Sequence, residues 1–217
     1  MSQERRHLLA QAALCFEQAG QPGAAARCRD KAGELAAAAE LYQLAGELTK
    51  AADCWQRAGR TDAAASCLLA LGRPQDAAQL WVDAGDRLEA AWILAMDAAQ
   101  PQRAHRLLAG LTAAGPGEQQ RLRIARTLCM ALERQPDQLV TVLDRVGDEL
   151  ADVTPASEQA RVAQWAVQAA GMLRRPDLAA RIFAAAYLCR VPGTLSRWRT
   201  WAAGALGGTA GIPEREL

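Results

Sequence analysis

Four of the six cysteines, Cys15, Cys28, Cys54 and Cys67, follow one another at intervals of 13, 26 and 13 residues. Thiols at regular intervals could ligate a metal or pair as disulfides, but only if the chain brings several of them together. The sequence holds no CxxC pair, which removes the usual zinc-knuckle and thioredoxin-like signatures. The same register also carries Leu41, Leu80 and Ile93. A place shared with leucine and isoleucine is a core place, since free cysteine packs as a small hydrophobe. Cys129 and Cys189 lie on apolar stretches and read the same way. No metal is expected.

The only histidines are His7 and His105, and neither stands near a nucleophile motif. The HExxH, phosphate-loop, GxGxxG and GxSxG patterns are all missing, so no cofactor is expected. Glu133 with Asp137, and Asp144 with Asp148, are carboxylate pairs at helical spacing and read as solvated faces. These residues assemble no catalytic constellation, and the chain reads as a non-enzyme. One local cluster stands out, LSRWRTWAAGALGG, where Arg197 and Arg199 flank Trp198, with Arg190 just before. Arginine forks bind oxyanions and indoles stack, so these four residues are a candidate patch for an anionic partner. The competing reading is an amphipathic helix with Leu195, Trp198, Trp201, Ala202 and Ala205 on its inner face. Arg121, Arg123 and Arg126 form a similar cluster, read as a charged helix face.

The elements that position these residues come from a ladder of glycines at 20, 33, 46, 59, 72 and 85, each 13 after the last. Cutting after each gives LLAQAALCFEQAG, QPGAAARCRDKAG, ELAAAAELYQLAG, ELTKAADCWQRAG, RTDAAASCLLALG, RPQDAAQLWVDAG and a degenerate DRLEAAWILAMDA. All seven units carry Ala-Ala at places five and six. Apolar residues recur at places five, eight, nine and twelve, one face of a helix. Glycine at place thirteen supplies the left-handed residue that closes it. Pro22 and Pro74 mark the next helix starts, and Thr61 or Asp62 reads as an N-cap. Helices this short need neighbours to be stable, and short turns make consecutive ones antiparallel.

Places three, seven and ten point away from the core face. They are polar in units two, four and six, whereas units one, five and seven carry Leu14, Leu69, Leu88 and Trp92 there. The true period is therefore two units, with even helices facing solvent and odd helices lining a partly covered surface. Leu14, Gln43, Leu69, Leu88, Trp92 and Met96 are the candidate protein-binding residues, with Leu88 and Trp92 forming an exposed ridge.

The pattern AxxCFxxAG, AAxLYxxAG, AAxCWxxAG over residues 3–110 resembles the tetratricopeptide-like superfamily. It is closest to its short-helix members, such as the SNAP adaptors and the solenoids that follow β-propellers in coat and intraflagellar-transport proteins. That resemblance implies a scaffold or adaptor that binds other proteins. The period is shorter than the standard repeat of about 34 residues, so no peptide-clamp residues carry over.

After residue 98 the register slips. A short helix follows from 100 to near 110, then a Gly/Pro-rich break over 111–118. Longer helices are expected over 119–135, 136–150, 154–173 (with Thr154 as N-cap), 176–190 and 194–206. The domain reading is a short-helix array over 1–110, longer hairpins continuing or capping it over 118–206, and a flexible tail over 207–217. The fold expected is all-α: a right-handed α-solenoid of stacked antiparallel hairpins with about 13 helices.

Composition bounds the partners. The formal net charge is +1, and residues 111–217 hold 13 Arg or Lys against 11 Asp or Glu, a balance that gives little support to a nucleic-acid partner. The apolar run at the N-terminus is short and broken, unlike a signal peptide. No run nears the roughly 18 apolar residues of a membrane span. The expectation is a cytoplasmic protein with reduced thiols. Abundant alanine, with arginine in place of lysine, points to a GC-rich, bacterial genome. The function expected is a non-catalytic scaffold or adaptor, a subunit or module of a multi-protein assembly. The alternatives are a nucleic-acid-binding repeat using the arginines of the C-terminal half, and a regulatory module of an associated ATPase or protease.

Overall fold

The computed structural model describes residues 3–133 and 135–207. Among these it contains 13 α-helices and no strand. They are α1 (Gln3–Gln18), α2 (Pro22–Ala32), α3 (Leu35–Leu44), α4 (Leu48–Arg57), α5 (Thr61–Ala70), α6 (Pro74–Asp83), α7 (Arg87–Met96) and α8 (Pro101–Leu108). There follow α9 (Pro116–Leu132), α10 (Pro136–Glu149), α11 (Ala156–Met172), α12 (Pro176–Leu188) and α13 (Thr194–Ala205). Within each of its two compact units consecutive helices pack against each other, the arrangement of an all-α solenoid. The chain divides into two compact units, Met1–Ala99 and Gln100–Leu217. The short helix α8, which the sequence groups with the array, falls in the second unit and packs on α9.

In the first unit the repeat acts as its chemistry dictates. The alanines at place five of α2 to α7 (Ala25, Ala38, Ala51, Ala64, Ala77 and Ala90) are fully buried. A methyl side chain is what lets neighbouring backbones approach this closely. All six ladder glycines have positive φ, between 68° and 87°. At each of them the next residue donates its N–H to the carbonyl of place nine. The six bonds run from Gln21 to Phe16, Glu34 to Arg29, Glu47 to Tyr42, Arg60 to Trp55, Arg73 to Leu68 and Asp86 to Trp81, all at 2.9 Å. This is the Schellman closure, which satisfies carbonyls the helix end would otherwise leave open. No heavy atom lies within 4 Å of a Cβ built on Gly59, whose φ is +72°. Gly59→Ala therefore pays for the left-handed backbone alone, about 1–2 kcal/mol. Urea denaturation should show that loss with no change in helical content.

Two details of the expected helix starts are corrected. Neither Thr61 nor Asp62 caps α5, because Thr61 is already helical and Arg60 occupies the cap. With one residue between the glycine and the helix, that residue must be the cap. Asp62 instead pairs with Arg60 at 3.3 Å. Likewise Thr154 is not the cap of α11; Pro155 holds that place.

Side chains also tie alternate helices. Arg57 on α4 pairs with Asp30 on α2 at 2.9 Å. On the odd side, Gln43 on α3 donates to the Cys67 sulfur on α5 at 3.4 Å and accepts from the Trp55 indole at 3.3 Å. One ion pair thus links α2 with α4, and one part-buried network links α3 with both α4 and α5.

The second unit is built from longer helices and larger side chains. Its buried core includes Leu122, Ile124, Leu128, Leu139, Leu143, Val162, Trp165, Leu178 and Ile182. Here α9 packs on α10 and α11, and α10 and α11 both pack on α12. The break expected over 111–118 ends early, since α9 starts at Pro116 after Gly115 at the cap. Proline at a first helical position loses no needed N–H. Gly117 is buried because Glu158 Cβ and Val153 Cγ1 lie 2.9 and 3.0 Å from where a Cβ would stand. The tail expected over 207–217 lies outside the described residues, apart from Gly207.

Candidate functional site

The structure distributes the six candidate binding residues unevenly. Leu14 stands exposed on α1, beside Leu8, Cys15 and Phe16, which are also exposed. Leu8, Cys15 and Phe16 are spaced seven and eight apart and share one stripe of the helix, whereas Leu14 lies about 100° round the axis from Cys15, on another face. Gln43 is exposed but is held by Trp55 and Cys67. Leu69 and Met96 are half-buried. Leu88 and Trp92 are only 2% and 5% exposed, so the ridge expected of them is not on the surface. The whole run from Ala90 to Ala95 is buried with them. A helix that is apolar all round is a buried helix, and the sequence already showed this in the unbroken string AAWILA.

Burial within the repeat explains what is special about α1. Places eight and nine are Cys54 and Trp55 in α4, and Cys67 and Leu68 in α5, all buried. The same places in α1 are Cys15, exposed, and Phe16, 36% exposed. α4 and α5 are each covered by neighbours on both sides, whereas the principal contact of α1 is with α2. The outer face of α1 presents core-type residues to solvent.

At the other end of the chain, the arginine patch separates into parts. Trp198 is buried and packs edge-on against Phe183, with ring centroids 5.3 Å apart. Trp201 is half-buried and lies 5.2 Å from Trp198. Trp198 and Ala202 therefore face inward as the amphipathic reading has it and Trp198 is no part of a surface patch, but Leu195 and Ala205, placed on the same inner face, are exposed. Arg197 donates to the Pro192 carbonyl at 2.7 Å and borders a hollow of about 330 Å³ floored by Val167, Phe183 and Trp201. Arg190 and Arg199 are exposed. They line a second groove of about 740 Å³ beside Tyr187, Leu188 and Leu195. Those three apolar residues were not among the sequence candidates. Periodicity gave no sign of them, since Tyr187 and Leu188 close α12 and Leu195 was assigned to the inner face of the next helix.

The cluster Arg121, Arg123 and Arg126 is not a free charged face. Arg121 is buried, pairs with Glu158 at 3.2 Å and lies over the Trp165 ring at 5.1 Å. Arg123 pairs with Glu149 at 2.9 Å. Arg126 donates to the carbonyls of Leu108 and Leu111, closing the end of α8. All three hold the second unit together.

The titratable groups otherwise read as structure. Burial raises the thiols of Cys54 and Cys67, and pushes Cys129 up to about 11. Raised thiols are poor nucleophiles and poor metal ligands near neutral pH. Among the described residues no three His, Cys, Asp or Glu side chains are grouped to hold a metal ion. No described helix is long and apolar enough to cross a membrane. Compared with protein-family models, curated proteins and solved structures, the chain matches none.

Proposed function

We propose that this chain is a non-catalytic protein–protein interaction scaffold, holding a partner protein or peptide along its stacked helices. The observation that carries this reading is the outer face of α1. There Cys15 and Phe16 stand exposed at places that are buried in α4 and α5. Leu8 extends the same apolar stripe and Leu14 is exposed on another face of α1, and exposed apolar residues of this kind are what partner helices cover. The all-helical repeat fold is in keeping with the resemblance to tetratricopeptide-like solenoids, whose members act as adaptors. The alanine- and arginine-rich composition supports a bacterial assembly as its setting.

The test is capture of partners from the native host with a photocrosslinker placed at residue 14, read by mass spectrometry. Wild-type protein should yield one or a few specific adducts. Leu14→Asp combined with Phe16→Asp should reduce them at least tenfold while the circular dichroism spectrum is unchanged. An adduct set that is the same with both substitutions would refute the assignment of this face.

A further inference from the structure

The last described hairpin carries an unusual charge pattern. From residue 178 to 207 there are four arginines, at 181, 190, 197 and 199, and not one Asp or Glu. Arg181 is engaged by Asp144 at 2.6 Å, and Arg197 by the Pro192 carbonyl. The guanidinium groups of Arg190 and Arg199 make no hydrogen bond or ion pair among the described residues. Between them runs the groove of about 740 Å³ where the end of α12 meets the start of α13. Its walls expose Tyr187, Leu188 and Leu195, at 50%, 61% and 46%. Large apolar side chains so far in the open, framed by unmatched positive charge, are both poised to be covered.

We infer that this groove docks an acidic peptide segment of a partner protein, one that presents aliphatic or aromatic anchors flanked by carboxylates. The proposal rests on the reading of the chain as a scaffold and adds to it a second surface and the chemistry of its occupant. Tyr187, Leu188, Val191 and Leu195 take the anchors, and Arg190 and Arg199 take the carboxylates. Charge complementarity selects the acidic segment: nothing in the groove repels a carboxylate, and both cations would gain a partner. A nucleic acid fits less well. Phosphate binding draws on many cations at once, and here two stand beside an aliphatic floor. The volume exceeds that of one side chain and suits a short helix laid in the groove.

Arg190 allows a test that separates binding from folding. It sits in the left-handed backbone region, with φ +56°, at the place where the ladder uses glycine. Arg190→Gly therefore removes a guanidinium while relieving the backbone, so stability should rise as binding falls. The probe is a phage-displayed library of random 16-residue peptides selected on the intact chain. Enriched peptides are then synthesised and measured by fluorescence anisotropy. Enrichment of Asp or Glu beside Leu, Ile, Phe, Tyr or Trp is expected. Arg199→Glu and Leu188→Asp should each weaken these peptides at least tenfold, and Arg190→Gly severalfold despite its raised denaturation midpoint. Affinity should fall with added salt. Leu14→Asp should leave it unchanged. Peptides without acidic residues, peptides insensitive to the Arg190 and Arg199 variants, or no enrichment at all would overturn the proposal. A single-stranded oligonucleotide bound more tightly than any peptide, through the same arginines, would also overturn it. If the peptides instead depend on Leu14 and Phe16, the acidic groove is wrong and the scaffold reading stands. If neither face captures anything, both are wrong.

Discussion

Replacing Trp198 with alanine should cost about 3–5 kcal/mol of stability, the range for removing a large aromatic from a closed core. The indole is 2% exposed and is fixed by Phe183 at an interplanar angle of 76° and by Trp201 at 5.2 Å. Together with Ala202 these residues form the cluster that joins α13 to α12. Trp201 is already half-exposed and cannot fill the vacated space without exposing more of itself. Trp198→Phe keeps most of the ring contact and should lose far less. Urea denaturation of the two variants, followed by far-ultraviolet circular dichroism, checks the difference. A loss below about 1 kcal/mol for the alanine variant would mean that α13 is not packed as described.

The second large effect comes from adding atoms. Ala64 is fully buried at place five of α5. Ala64→Leu inserts three carbons where α5 lies against α4 and α6, and should destabilise by about 1–3 kcal/mol through overpacking. Ala70→Leu, on the exposed side of the same helix, should change stability by no more than about 0.5 kcal/mol. Leucine is the more hydrophobic residue in both cases, so burial of greasy surface would favour both substitutions. Only the requirement for close backbone approach predicts a loss at Ala64 and little change at Ala70. Equal behaviour of the two variants would show that the alanines reflect composition and do not set the packing distance.

The glycine ladder and the paired alanines made the first unit legible from the sequence, because each repeat states the same local chemistry and the structure merely stacks it. The second unit was legible as helices, with ends displaced by a few residues where proline or glycine opens a helix instead of breaking it, as at Pro116 and Gly117. Exposure was the least legible property. Periodicity assigns a residue to a face of its helix but does not say whether that face is covered. Leu88 and Trp92 lie on the outward places of the repeat and are nevertheless buried. Cys15 and Phe16 lie on the inward places and are nevertheless exposed. Arg121 illustrates the same limit, since an arginine on a charged stretch is buried once Glu158 and Trp165 lie across from it. The reading of the cysteines as core residues holds for Cys54, Cys67 and Cys129, which are buried, whereas Cys28 and Cys189 are half-buried and Cys15 on α1 is exposed.

That contrast offers the most direct measurement. Cys15, Cys54 and Cys67 occupy the same repeat place, one exposed and two buried. Desolvation raises the Cys54 and Cys67 thiols, and the Gln43 hydrogen bond offsets this only in part for Cys67. A raised thiol carries less reactive thiolate at a given pH, so chemistry and access act in the same direction. Iodoacetamide labelling of native protein at pH 8, resolved by mass spectrometry, should modify Cys15 quickly. Cys54 and Cys67 should react at least a hundredfold more slowly, as should Cys129, and all should react alike in urea. Labelling of Cys54 or Cys67 as fast as Cys15, or protection of Cys15 equal to theirs in the isolated protein, would contradict an open core-type face on α1 and the scaffold built on it.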